Sequence, residues 1–250
     1  MLGAPIGAAH ATSDQAQFEI ANPQAETAVN DEHDRVTKHV QESLSPDLLG
    51  NFNLFVYVDK ADTGTFAQRM YVLKKADDGS LAVIYDWPVS TGREMMEVDE
   101  HGQARSTGTP IGFYELDPLR FYVNHQSSQW NEPMPYAMFF LRSPDGHPTG
   151  LAIHGAVGVA AEALGRRASA GCVHLSVENA HALHDLIRSK LWGQVPRLAY
   201  GADAKNADDL LFRDSGGNLR LENGYSVLIF IDDFDDENAL SSTSKIENLG

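Results

Sequence analysis

A single cysteine, Cys172, occurs in 250 residues, which excludes an intramolecular disulfide framework and leaves a thiol that is either a small buried hydrophobe or a reactive group. Composition does not choose between these. Basic residues are also scarce, with 19 Lys plus Arg against 35 Asp plus Glu and a formal net charge of −16. Such a surface repels phosphate backbones, so nucleic acid is excluded as an expected partner. No apolar run approaches the roughly 20 residues of a membrane-spanning helix, so no membrane span is expected. A repeat of 20 to 50 residues is missing too, which disfavours a solenoid or propeller. The N-terminal M-L-G-A-P-I-G-A-A-H-A has neither a basic n-region nor a long apolar h-region, and reads as a mature N-terminus rather than an intact signal peptide.

What is present is a hydrophobic content of 42%, enough for one large core with extensions. Residues 1–29 are polar, Ala-rich and aperiodic, and read as a flexible arm. Residues 30–50 form a helical extension, with Asn30 or Asp31 as cap and Val36, Val40 and Leu44 at i, i+4 and i+8, ending before Pro46. From Asn53 short apolar runs follow one another: L-F-V-Y-V at 54–58, M-Y-V-L at 70–73 and L-A-V-I-Y at 81–85, the last two joined by a D-D-G-S turn. Further runs start at Ile111, Arg120, Ala137 and Leu151. This punctuation predicts a mainly β, β-sandwich-like domain over 51–231, largely antiparallel, with a few short peripheral helices. The polar stretch between Gly92 and Gly108 is long enough for a functional lid, and equally for a surface insertion. Ser176 caps a helix with Val177, Ala180, Leu183, Ile187 and Leu191 on one face. Residues 201–223 read as a polar connection of uncertain role, Y-S-V-L-I-F-I from Tyr225 as a last buried strand, and 232–250 as an acidic, disordered tail.

Chemistry concentrates between His154 and Cys172. His154 ends an apolar strand, and Cys172 stands in a loop four residues before the Ser176 cap. Two adjacent strand ends would bring the imidazole to the thiol, which must become a thiolate to act as a nucleophile. Gly171, lacking Cβ, leaves room for backbone N–H groups to face a substrate oxygen. A satisfied core histidine and an inert thiol would give the same spacing. The flanking residues separate the two readings: His154-Gly155, then Ser169-Ala170-Gly171-Cys172 and His174-Leu175, resemble the site motif of the YkuD-type L,D-transpeptidase family. Upstream, V-S-T-G at 89–92, T-P-I-G at 109–112 and M-P-Y-A-M-F-F from Met134 resemble the family's strand end, turn and cleft-lining segment, in the same order.

The resemblance implies a cysteine acyltransferase acting on peptidoglycan stem peptides in the bacterial envelope, expected in the periplasm, with no cofactor. It implies Cys172 as nucleophile, His154 as base and Gly155 as the carbonyl that orients its ring, with the backbone N–H groups of Gly171 and Cys172 holding the oxyanion. Ala170 stands where the motif has a second histidine, and His174 where it has Arg or Asn. Arg167, beside Arg166, is then the expected source of a missing positive charge, and Ser169, His174, Tyr136 and Trp130 are the expected substrate contacts. A hydrolase or carboxypeptidase of the same fold, and a non-catalytic wall-binding module, remain open alternatives. His181 and His184 at i and i+3, with His174, could also be imagined as a zinc site, although no carboxylate motif or Cys pair accompanies them.

Overall fold

The computed structural model describes residues 23–200 and 210–234. The chain runs through α1 (Pro23–Ser43), α2 (Pro46–Asn51), β1 (Leu54–Asp59), β2 (Arg69–Lys75), β3 (Leu81–Pro88), β4 (Met96–Val98), β5 (Ala104–Ser106), β6 (Gly112–Tyr114) and β7 (Leu116–Tyr122). It continues through β8 (Ala137–Phe140), β9 (Ala152–Gly155), a 3₁₀ turn at Gly158–Ala163, β10 (Val173–Leu175), α3 (Val177–Lys190), β11 (Trp192–Pro196), β12 (Leu221–Tyr225) and β13 (Val227–Asp232). The fold is mainly β. A five-stranded sheet in the order β3-β2-β1-β13-β6 faces a four-stranded sheet in the order β10-β9-β8-β7.

Every residue of β1 is buried, as a continuous apolar run at the centre of a covered sheet requires. Its side chains alternate between two cores. Leu54, Val56 and Val58 join Ile153, Val173, Leu175, Met138 and Phe140 of the facing sheet, while Phe55 and Tyr57 point to the opposite side, where Val36, Val40, Leu44 and Leu48 of α1 and α2 lie. α3 closes the inter-sheet core with Ala180, Leu183 and Ile187, capped as expected by Ser176, whose side chain accepts from Asn179 N–H.

Several expectations are corrected. α1 begins at Pro23, so Asn30 and Asp31 lie inside it rather than at its cap, and residues 23–29 belong to a helix and not to an arm. Ser45 caps a separate short helix, α2. The sheets are largely antiparallel, as expected, with two parallel pairings, β1 with β13 and β9 with β10. Of the stretch read as a polar connection, residues 210–220 carry bridges from Leu211 to Leu198 and from Arg213 to Leu219, and β12 pairs antiparallel with β11. Its alternation is diluted by Asn223 and Gly224. Residues 1–22, 201–209 and the tail from 235 lie outside the described residues.

One buried carboxyl predicts a pH effect on this scaffold. Asp59 is fully buried, its Oδ1 accepts from Ala61 and Phe234 N–H, and its Oδ2 has no partner. Burial, with Asp232 and Asp233 nearby, pushes its pKa up to about 7. The native state therefore retains a proton that the unfolded chain releases between about pH 4 and 7, so this site's contribution to stability falls as pH rises through that window. Asp59→Asn keeps the Oδ1 acceptor and removes the titration. It is expected to stabilise the protein by up to ~4 kcal/mol at pH 8 and by nothing at pH 4, read as unfolding temperature at the two pH values.

Candidate active site

The register of β9 and β10 builds the site. His174 lies opposite His154, with Val173 opposite Ile153 and Leu175 opposite Gly155. Since side chains alternate along a strand, Ile153, Val173 and Leu175 enter the inter-sheet core. Cys172, His174, Ala152 and His154 share the outer face, where Met134, Ala137, Phe139 and Ala152 form a small apolar cluster against which Cys172 packs. The thiol and the two imidazoles thus line one cleft of about 120 Å³, with Trp130, Glu132, Met134, Leu151 and Arg105 among its walls. A second cavity of about 180 Å³ opens on the other flank of the imidazoles, between Glu132, Pro133, His154, His174 and Val157.

His154 is 3% exposed, and its Nδ1 lies 3.0 Å from the carbonyl oxygen of Gly155. A carbonyl only accepts, so Nδ1 carries the proton and Nε2 is left with its lone pair. Burial lowers the His154 pKa to about 4. His174 is equally buried, and its ring stands edge-on to His154 with centroids 4.6 Å apart. Burial first, and then repulsion from the His154 ring and the Arg93 guanidinium, lower its pKa to about 3. Cys172 is half-buried as a residue. Burial pushes its thiol up to about 12, a backbone hydrogen bond from Ala152 partly offsets this, and the Glu132 carboxylate adds to it. At neutral pH the resting site is therefore a neutral thiol beside two neutral imidazoles, not a thiolate–imidazolium pair.

The loop that presents Cys172 is held by backbone geometry. Gly171 has φ of 113°, a region that favours glycine. Its carbonyl accepts from Thr109 Oγ1 at 2.7 Å, and Thr109 Oγ1 accepts from Gly92 N–H at 2.8 Å. Gly92 itself has no room for a side chain, since a Cβ would lie 2.0 Å from Thr107 O. The V-S-T-G and T-P-I-G segments therefore meet on the cysteine loop. Both segments are visible in the sequence as motifs, but the bracing role of Gly92 and Thr109 emerges only from this contact. A Cβ on Gly171 would lie 3.0 Å from both Gly108 O and Leu151 Cδ2. Gly171→Ala is expected to lower turnover at least about tenfold through displaced loop backbone and, because a Cβ is strained at this φ, to lower the unfolding temperature by several degrees, about 2 to 4 °C for each kcal/mol of strain, measured by steady-state kinetics alongside thermal unfolding.

The remaining sequence candidates fall into two groups. Trp130 and His174 line the cleft. Gly155 packs too closely on α3 for a side chain, because a Cβ added there would lie 3.0 Å from Val177 Cα. By contrast, Arg167 is not in the cleft: its Nε donates to Lys60 O at 2.7 Å, and its guanidinium pairs with Asp233 and Asp62. It ties loops together and cannot anchor a substrate carboxylate. Ser169 is also committed, accepting from Gly171 N–H at 3.0 Å and donating to Cys172 O at 2.5 Å. The Gly171 amide expected to hold an oxyanion is thus already engaged. Tyr136 stacks on His181 with centroids 4.5 Å apart and meets His184 edge-on, on the α3 side rather than in the cleft. His181 pairs with Asp185 at 3.0 Å. Among the described residues, no three His, Cys, Asp or Glu are placed to hold a metal ion.

The two-sheet domain thus carries one thiol and two imidazoles in a single cleft beside the paired parallel strands β9 and β10. The chain matches the family model of the YkuD L,D-transpeptidase catalytic domain over residues 55–197. It belongs to that family. Among solved structures it is similar to an L,D-transpeptidase from Xylanimonas cellulosilytica, with 18% identity over 73% of this chain and 61% of that one at a TM-score of 0.37. It is also similar to an L,D-transpeptidase from Mycobacterium tuberculosis, with 17% identity over 72% and 58% at 0.38. A third is the helical cell shape determining protein Pgp2 from Campylobacter jejuni, with 16% identity over 74% and 49% at 0.40. The chain spans between 49% and 61% of the length of these three. No curated protein matches it. Among the described residues, no helix is long and apolar enough to cross a membrane.

Proposed function

We propose that the protein is a peptidoglycan L,D-transpeptidase of the bacterial envelope that uses Cys172 as its nucleophile. The observation that supports this reading is the one cleft lined by both Cys172 and His154, with the His154 Nδ1 fixed on Gly155 O so that Nε2 is free to take a proton. Cys172 Sγ attacks the carbonyl that joins a diamino residue to a terminal D-amino acid, and the thiol proton passes to His154 Nε2. The new S–C bond gives a tetrahedral intermediate. Collapse of the intermediate breaks the C–N bond, and the D-amino acid leaves with the proton that His154 returns to its nitrogen. An amine acceptor then attacks the thioester, loses a proton to His154, and releases Cys172 as a thiol.

Because the resting thiol is neutral, proton transfer to His154 accompanies the attack rather than preceding it. With Gly171 N–H bound to Ser169, the Cys172 amide is the donor left beside the forming oxyanion. The cavity on the far flank of the imidazoles supports a two-sided site, with the acyl donor entering from one side and the amine from the other. Water in place of the amine would make the same residues a carboxypeptidase or a cross-link hydrolase. Incubation with defined tetrapeptide muropeptides followed by mass spectrometry of the products tests the proposal. Release of a D-amino acid with a new cross-linked or exchanged product is expected, and release without any transfer product would favour the hydrolase. Bound but unaltered muropeptide would favour a wall-binding module.

A further inference from the structure

A cavity of about 460 Å³ shares no lining residue with the catalytic cleft. Its walls carry Arg142, Arg197, Arg220 and Glu222, together with Tyr200 and Phe212. Three cations therefore meet one acid in this wall, in a chain whose acids outnumber its Lys and Arg by 35 to 19. Arg197 directly follows β11 and Arg220 directly precedes β12, and Arg197 N–H donates to Arg220 O at 2.9 Å. Two like charges thus stand across one strand pair, an arrangement that is unfavourable by itself. Glu222 offsets part of it, pairing with Arg197 Nε at 3.2 Å and with Arg220 Nη2 at 2.9 Å. Behind the wall Glu115 is buried. Its carboxylate meets Arg197 Nη1 at 3.3 Å and accepts from Leu198 N–H at 3.1 Å and Tyr200 OH at 3.0 Å, which fixes the Arg197–Tyr200 side of the cavity.

Arg142 comes from a third segment, the loop between β8 and β9, and has no carboxylate partner among the described residues. Its Nη1 donates to Gly146 O at 2.8 Å. Among the described residues, Arg142 Nε and Nη2, Arg197 Nη2, and Arg220 Nε and Nη1 are left without a hydrogen-bond acceptor, and the Arg220 guanidinium lies over the Phe212 ring at 5.7 Å. A planar carboxylate has two oxygens and is saturated by a single guanidinium fork, whereas a tetrahedral phosphate presents three or four oxygens and accepts from several forks. We propose that Arg142, Arg197 and Arg220 form a binding site for one phosphate group. A hollow of about 180 Å³ adjoins it, sharing Leu198 and Tyr200 and otherwise walled by Phe113, Pro144, Ala199 and Leu210. An apolar chain on the phosphate would fill that hollow, so the ligand is either a lipid headgroup or a soluble phosphate. The net charge of −16 opposes broad contact with an anionic bilayer, so in either case the site takes a single phosphate rather than a charged surface. The assignment goes beyond the transpeptidase reading and does not rest on it.

Titration calorimetry of the full chain with inorganic phosphate is expected to show saturable one-to-one binding at least about tenfold tighter than that of acetate, the carboxylate control. Arg142→Ala should weaken phosphate binding at least about tenfold, and Arg142→Lys should recover part of the loss, because it restores the charge without the fork. Since Arg142 takes part in no ion pair among the described residues, its removal should leave the unfolding temperature in phosphate-free buffer unchanged. Added phosphate should raise that temperature in the native protein and not in Arg142→Ala, which separates lost binding from a lost fold. Two further probes identify the source of the phosphate. Glycerol 3-phosphate binding at least as tightly as inorganic phosphate assigns a soluble ester. Co-sedimentation with phosphatidylcholine vesicles only when they contain phosphatidic acid, and its loss in Arg142→Ala, assigns a lipid headgroup. Phosphate binding without either of these assigns the free ion. Phosphate binding no tighter than acetate, or equal in the native protein and Arg142→Ala, overturns the proposal.

Discussion

Cys172→Ala is expected to reduce D-amino acid release from a stem tetrapeptide by at least about 10⁴-fold, because loss of a nucleophile that works as a unit with its base removes the covalent path altogether. The fold should survive the change. Cys172 sits immediately before β10 on the cleft side, against the small cluster of Met134, Ala137, Phe139 and Ala152, while the inter-sheet core is built from the opposite faces of the same strands. Truncation of one half-buried side chain beside an existing cavity costs on the order of 1 kcal/mol. Turnover and thermal unfolding measured on the same preparation separate the two effects. Unchanged turnover would remove Cys172 from the chemistry.

The second large effect concerns His154 and carries a pH signature. His154→Ala is expected to lower kcat/KM by about 10² to 10⁴-fold, the range for loss of a positioned general base. In the native protein the base is competent only when unprotonated, and burial holds its pKa at about 4. Activity should therefore be lost as pH falls through about 4 and be flat across neutral pH, since the thiol, at about 12, does not ionise there. A cysteine–histidine site poised as an ion pair would instead show two limbs enclosing a narrow optimum. The kcat/KM profile from about pH 3 to 9, with and without His154, distinguishes these. In His154→Ala the acid limb should vanish, and the residual rate should climb with hydroxide as free thiolate becomes the only nucleophile.

Much of the architecture was legible because it depends on local chemistry. The runs at Leu54, Met70 and Leu81 are β-branched and aromatic with turn residues between them, and the Ser176 cap followed by spaced apolar residues marks α3. Pairing was less visible. Nothing local shows that β13 inserts between β1 and β6, parallel to β1, because register is decided by which apolar faces meet. The start of α1 was displaced because Pro23 and the polar residues after it suit a first helical turn as well as a loop. Among the site candidates, Arg167 and Ser169 illustrate the limit most plainly. Both flank the cysteine in sequence, yet one side chain reaches back to Lys60 and Asp233 and the other folds onto the backbone of its own loop. Arg105, 67 positions before the cysteine in a charged stretch, has no sequence signal that sets it apart from its neighbours. It reaches the cleft only through the β4–β5 hairpin.

Everything proposed for the chemistry depends on a covalent acyl-enzyme forming on a thiol that is neutral at rest. Intact-mass spectrometry of the protein, acid-quenched within the first turnovers on a tetrapeptide donor and without acceptor, detects that species itself. A mass increase equal to the donor minus its terminal D-amino acid is expected, located on Cys172 by peptide mapping and absent from Cys172→Ala. An unmodified protein that has nonetheless released D-amino acid, or an adduct that persists in Cys172→Ala, would refute the cysteine mechanism.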